Sequence, residues 1–248
     1  MHITTNIFTQ KYPNLIVVGI PPPTTIGKNN MPAPQRIFIM GPSCSGKGTL
    51  AHKLSAALNL PIFSTGDALR AMFAAGGPLA EALRPTMEHG ALAPTPLVVD
   101  ITKKALEAPT YARGAIFDGG GRKIEEAQAL QAAGIGPTIL INMHADADLL
   151  VQRALGRWIH PASGRTYHEV FTPPRVPGKD DVTGEDLVRR GDDTADGIRA
   201  RLAWYESETT PAIAWMKEHC APHYLDVDAS APSSDTFTRV SNFCAPYV

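Results

Sequence analysis

Residues Gly41-Pro42-Ser43-Cys44-Ser45-Gly46-Lys47-Gly48-Thr49 place the tightest constraint on any fold this chain can adopt. An apolar run, Arg36-Ile37-Phe38-Ile39-Met40, leads into them, and a stretch of good helix formers, Leu50 to Leu58, follows. Strand, glycine-rich turn and helix start, in that order, build a cradle for an anion. The N–H groups of the turn point inward, the helix N-terminus adds a partial positive charge, and the lysine reaches over the phosphates. The spacing Gly41-x-x-x-x-Gly46-Lys47 is that of a P-loop. Gly48 stands where most P-loops carry the Ser or Thr that binds Mg²⁺, and the hydroxyl comes one residue later, at Thr49. Taken alone, the motif also admits a bland reading, a glycine-rich turn that happens to hold a lysine.

A length of 248 residues is enough for one large domain or two small ones with a substantial core. A net charge of −1 with 19% charged residues gives no sign of a polyanion or membrane surface, so neither nucleic acid nor membrane is an expected partner. No apolar run reaches the length of a bilayer-spanning helix. The cysteines Cys44, Cys220 and Cys244 lack the spacing of a metal site or disulfide framework, and a reducing, cytoplasmic setting is the simplest expectation. Residues 1–30 contain no Asp, Glu or Arg and include the turn-rich stretch Pro21 to Gly27. Leu15 to Ile20 is too short for a signal-peptide core and has no cationic lead-in, and a transit peptide would be Arg-rich. Residues 1–34 are therefore expected to be a disordered extension or an over-long start, ahead of a domain spanning 35–248.

From residue 36 onward short apolar runs alternate with helical stretches, which predicts an α/β domain with a parallel sheet. The expected strands are Arg36–Met40, Pro61–Ser64, Gly114–Phe117, Thr138–Met143 and His223–Val227. The expected helices are Lys47–Leu58, Asp67–Ala75, Pro96–Leu106, Ala147–Leu155, a long one from Asp193 interrupted near Pro211, and one around Asp235–Phe243. Residues 158–186 break the alternation, being polar, turn-rich and without helical period, and a segment of that length reads as a lid.

Five separated blocks then share one pattern. They are Gly41–Thr49 with its Gly-Lys-Gly-Thr ending, Phe63-Ser64-Thr65-Gly66-Asp67-Ala68-Leu69-Arg70, Asp118-Gly119-x-x-Arg122, Arg153-x-x-x-Arg157, and Arg190 with Arg201. In order and interval they resemble adenylate kinase, one of the nucleoside monophosphate kinases, from about residue 36 to residue 230. The resemblance implies a P-loop parallel β-sheet core flanked by helices, an inserted monophosphate-binding helical segment at 64–93, and a lid at 157–192. It implies the substrates ATP and AMP, Mg²⁺ with the ATP, and a monomer.

Phosphoryl transfer asks a protein mainly to align two phosphates and to spread positive charge over the group in flight. By resemblance that charge comes from Lys47, Arg122, Arg153, Arg157, Arg190 and Arg201, each guanidinium offering bidentate geometry. Cys44, Ser45, Gly46, Lys47, Gly48 and Thr49 would cradle ATP, with Arg153 and Arg157 on one helix face gripping its phosphates and Thr166 and Tyr167 reaching its base. Thr65, Arg70, Ala91, Leu92, Ala93, Gly119, Arg122, Glu126, Arg190 and Arg201 would hold AMP. Asp118 would act on Mg²⁺ through bound water. Some related lids carry four zinc-binding cysteines. This one has none, and His160, Ser163, Asp180 and Thr183 sit where a hydrogen-bonding network would replace the metal, so no zinc is expected.

Three departures bear on specificity. The usual Asp-Gly-Phe-Pro-Arg reads Asp118-Gly119-Gly120-Gly121-Arg122, which removes an aromatic wall and raises the ordering cost of the turn. The usual Gln four residues after that Arg is Glu126. A carboxylate only accepts hydrogen bonds, which suits guanine N1–H better than adenine N1 and keeps GMP open as an alternative acceptor. Cys44 replaces a usual Gly. A thiol at a helix N-terminus beside Lys47 is a candidate for a lowered pKa and for oxidation, against the alternative that a small residue is simply tolerated there.

Overall fold

The computed structural model describes residues 34–76, 93–189, 191 and 193–248. The expectations for residues 1–33, Ala91, Leu92 and Arg190, and most of segment 64–93, lie outside the described residues.

β1 (Gln35–Met40) is the middle of a five-stranded sheet. β2 (Ile62–Phe63) and β3 (Gly114–Asp118) lie on one side of it, β4 (Ile139–His144) and, after a lid hairpin, β7 (His223–Asp228) on the other, in the order β2-β3-β1-β4-β7. Every pairing is parallel. Strands buried on both faces read as continuous apolar runs, which is why Ile37 to Met40 and Ile139 to Ile141 were legible. Alternate residues divide between two cores. Phe38, Met40, Phe117 and Leu140 face α3 (Thr95–Leu106), α4 (Ile124–Ala132) and α7 (Thr210–His219), with the rings of Phe38 and Phe117 stacked at 4.3 Å. Ile37, Ile39, Ile116, Ile139 and Ile141 face α1 (Lys47–Leu58) and α8 (Ser233–Cys244).

α2 (Thr65–Ala75) begins two residues before the expected Asp67, because the Ser64 hydroxyl caps it by accepting the Asp67 N–H at 3.2 Å. α4 was missing from the expected helices. α5 (Ala147–Leu155) is capped by Asp146 and ends at Gly156, and Arg157 opens β5 (Arg157–Ile159), which pairs antiparallel with β6 (Thr166–His168). The expectation that Arg153 and Arg157 share a helix face is therefore corrected: the helix stops between them. The long helix from Asp193 is α6 (Ala195–Trp204), a π-helical turn at Tyr205–Thr209, and α7, so the interruption falls just ahead of Pro211. Among the described residues no helix is long and apolar enough to cross a membrane.

Candidate functional site

In an open parallel sheet the crevice beyond the carboxyl ends of the strands is the place for a ligand, at the point where successive crossovers leave on opposite sides. Here that point is β1, flanked by β3 and β4, and the loop leaving β1 is Gly41–Gly46. The loop turns through left-handed backbone at Cys44 (φ 65°) and Gly46 (φ 92°). Gly41 cannot carry a side chain: a Cβ there would stand 2.7 Å from the Met143 carbonyl oxygen and 2.9 Å from Ser45 Oγ. The Ser45 hydroxyl is buried with no protein partner among the described residues.

Lys47 Nζ donates to the carbonyls of Gly41 and Pro42, both at 2.7 Å. Burial pushes its pKa down to about 8; the nearby Asp118 carboxylate opposes this and the Arg122 guanidinium adds to it. Asp118 closes β3 beside the first turn of α1, where a Cβ on Gly48 would lie 3.6 Å from Oδ2. The glycine thus leaves the carboxylate a clear approach to the start of α1, and carboxylate with water is a donor set that suits Mg²⁺.

A second concavity adjoins the cradle. Thr65, Leu69, Ala93, Gly120, Arg122 and Glu126 line a small open cleft. Arg122 folds back over Gly119, whose Cβ would stand 2.8 Å from Nη2. Arg70 extends over Gly66 and pairs with Asp67 at the exposed start of α2.

On the lid side Arg157 grips Asp193 with two bonds, Nε to Oδ2 at 2.8 Å and Nη2 to Oδ1 at 2.6 Å, and Arg201 Nη2 reaches the same Oδ1 at 3.2 Å. Asp193 was not among the expected site residues. Its place before the Thr194 cap of α6 reads in sequence as an ordinary helix start, with no local sign of two arginine partners. Arg153, in the last turn of α5, lies 5.6 Å from the ring centre of Phe171; burial lowers its pKa against the pull of Asp228. The Thr49 and Thr166 hydroxyls stand 3.5 Å apart, so the lid tip touches the first turn of α1. Tyr167 is turned into the lid instead of outward: its hydroxyl donates to Asp180 Oδ1 and accepts the Asp181 N–H, both at 2.9 Å.

The lid is held by polar groups converging on Asp180, whose carboxylate takes Arg165 in a bidentate pair at 2.8 and 2.6 Å and the Thr183 N–H at 2.8 Å. His160 spans Ser163 at 2.7 Å and Glu185 at 2.6 Å. Cys44 packs against Val151, Ala154 and Ile198. Burial raises its thiol pKa and outweighs Arg157, Arg201 and Lys47, which goes against the activated-thiol reading and with the alternative of a small residue tolerated there. The cause is location: the side chain is partly buried against α5 and α6.

The architecture is thus a glycine-rich loop and an adjoining cleft at the switch point of a parallel sheet, with Arg157 of β5 and Arg201 of α6 sharing Asp193. The family model for adenylate kinase matches residues 39–221, more than half of the chain, and spans the cradle, the cleft and the lid. The chain belongs to the adenylate kinase family, whose members are nucleoside monophosphate kinases.

Proposed function

We propose that this protein transfers the γ-phosphoryl group of MgATP to AMP, giving two molecules of ADP. The observation that carries the reading is that Lys47, at the end of the Gly41–Gly46 loop, and Arg122, which lines the adjoining cleft, lie within electrostatic reach of each other. A hydrolase needs one phosphate site; a transferase between nucleotides needs two.

In this reading Gly41–Thr49 takes the ATP phosphates, the unpartnered Ser45 hydroxyl and loop N–H groups donating to them. Lys47 exchanges its own carbonyl partners for phosphate oxygens. Arg157 and Arg201, held in place by Asp193, supply charge to the transferring group, and Arg153, in the last turn of α5, adds its charge to the ATP phosphates. Mg²⁺ arrives with ATP as part of the substrate and neutralises phosphate charge, and Asp118 orders the water around it. Arg70 and Arg122 take the AMP phosphate, while Thr65, Ala93 and Gly120 line its base side. Segments 64–93 and 157–192 close over the reactants and exclude water, which would otherwise compete as acceptor.

An endpoint assay tests the reading. Purified protein is incubated with MgATP and, separately, AMP, GMP, CMP or UMP, and the nucleotides are resolved by chromatography. ADP formed with AMP beyond the no-acceptor control is the expected result, with at least a thousandfold loss in Arg122→Ala. Conversion of GMP in place of AMP overturns the acceptor assignment, and no conversion with any acceptor overturns the transferase.

A further inference from the structure

Three glycines, Gly119, Gly120 and Gly121, carry the chain from β3 to Arg122, at φ 81°, 125° and 67°. A run of glycines in left-handed backbone has no side chain to fix it and loses more conformational freedom on ordering than any other sequence. This loop is fixed from outside. Glu126, in the first turn of α4 and 5% exposed, accepts the Gly121 N–H on Oε1 at 2.7 Å. Thr209, 2% exposed at the end of the π-helical turn, donates its hydroxyl to the Arg122 carbonyl at 3.0 Å. Met216 closes a third side, its Sδ 3.2 Å from where a Gly121 Cβ would be.

The Gly121 N–H exists because the residue is not proline, which has no donor. A donor buried at that point needs an acceptor, and a carboxylate is a strong one. The proline-to-glycine and glutamine-to-glutamate departures at positions 121 and 126 are therefore the two ends of one hydrogen bond. Burial raises the Glu126 carboxyl pKa and outweighs the N–H groups of Gly121 and Arg122, which pull it down.

We propose that Glu126 is a positioning residue: with the Thr209 hydroxyl it clamps the glycine loop so that Arg122 faces the acceptor phosphate, and it does not read the acceptor base. The proposal rests on the assignment of Arg122 to the acceptor phosphate. Oε1 carries the loop contact; Glu126 also lines the cleft, and the acceptor-ratio comparison below tests whether its second oxygen meets the base. Thr209 acts from the opposite side of the same two residues, which ties the π-helical turn to the acceptor cleft.

The test compares wild type with Glu126→Gln, Glu126→Ala, Thr209→Val and Thr209→Ser. Loss of a buried hydrogen bond to a charged group corresponds to about tenfold or more, so Glu126→Ala raises the acceptor KM by at least about that factor, with the ATP KM within twofold. Thr209→Val acts in the same direction and Thr209→Ser, which keeps the hydroxyl, restores the wild-type value. Glu126→Gln, whose amide oxygen still accepts the Gly121 N–H, leaves the ratio of AMP to GMP turnover within about threefold of wild type. A tenfold change of that ratio in Glu126→Gln, or an unchanged acceptor KM in Thr209→Val, overturns the proposal. Amide hydrogen exchange over residues 119–122 reads the clamp without turnover: it accelerates in Glu126→Ala and Thr209→Val, and equal protection in all variants overturns the clamp even where transfer is confirmed. A wild type that phosphorylates no monophosphate defeats the transferase reading instead, and the exchange measurement still decides the clamp.

Discussion

The ammonium of Lys47 lies against two loop carbonyls with its pKa pushed down to about 8, burial being the larger cause and Arg122 a smaller one. Polyphosphate brought against it favours the charged form, so its pKa rises on nucleotide binding and a proton is taken up wherever the free side chain is neutral. By linkage, ATP affinity holds below pH 8 and falls above it, approaching tenfold per pH unit until the pKa of the complex is reached. Calorimetry in buffers of different ionisation enthalpy checks this: proton uptake growing between pH 7.5 and 9.5 is the expected outcome, and Lys47→Met abolishes the pH dependence along with most of the affinity. Absence of proton uptake at pH 9 removes Lys47 from the phosphate site. Cys44 contrasts with it at the same scale. Its position in sequence, next to a helix start and a lysine, left an activated thiol and a merely tolerated small residue both open, and burial against α5 and α6 raises its pKa. Which neighbour wins is a matter of distance to water, and that was not legible in the sequence.

Elements were legible where one apolar period dominated, as in β1, β4 and α5, and illegible where polar groups do the holding. The lid hairpin β5–β6 is built around a buried Asp180, with Arg165, Tyr167 and Thr183 as partners, so its strands carry no alternating apolar signature. α4 escaped for a related reason: only Glu126, Ala127 and Leu130 of its nine residues are buried, and one of these is charged. Arg165 and the Thr183 and Tyr167 donors hold the Asp180 carboxyl far below the usual value of 3.8. A depressed carboxyl contributes stability that is present in full above its unfolded pKa and is lost as pH falls below it. The lid therefore loosens as pH drops below about 4, ahead of the sheet core, and Asp180→Asn loosens it at neutral pH. Limited proteolysis shows this as faster cleavage within 157–189; a variant cut no faster than wild type contradicts it. The sheet has its own weak point at Gly114, where a Cβ would stand 1.9 Å from the Gln35 carbonyl oxygen with φ at +114°. Strain and overpacking together set the cost of Gly114→Ala at about 3 kcal/mol or more, read as a lowered urea midpoint. A change under about 1 kcal/mol would mean that β1 and β3 separate more easily there than their pairing implies.

At the scale of the whole molecule, Asp193 joins the root of the lid to the helix behind it. Its side chain is 4% exposed and holds Arg157 and Arg201 at once. Those two cations are also the ones the proposed reaction assigns to the ATP phosphates, so one carboxylate and a polyphosphate compete for, and can share, the same charge. Removing the carboxylate takes one shared anionic partner from both guanidinium groups, and breaking a buried pair from one side costs about 3–5 kcal/mol. Arg201 is 31% exposed, and solvent screening places the cost at the lower end, about 3 kcal/mol. For a chain of this size that corresponds to a fall of roughly 6–12 °C in Tm. Bound nucleotide brings negative charge to the two guanidinium groups that have lost the Asp193 carboxylate, so a non-hydrolysable ATP analogue stabilises Asp193→Asn by more degrees than it stabilises wild type. The expected kinetic pattern follows: kcat falls about tenfold or more as the arginines lose their fixed geometry, while the ATP KM does not rise. Thermal melts of both proteins with and without the analogue decide the matter. An analogue-induced shift no larger in Asp193→Asn than in wild type means that the phosphates do not reach Arg157 and Arg201, and the lid then closes on some other contact.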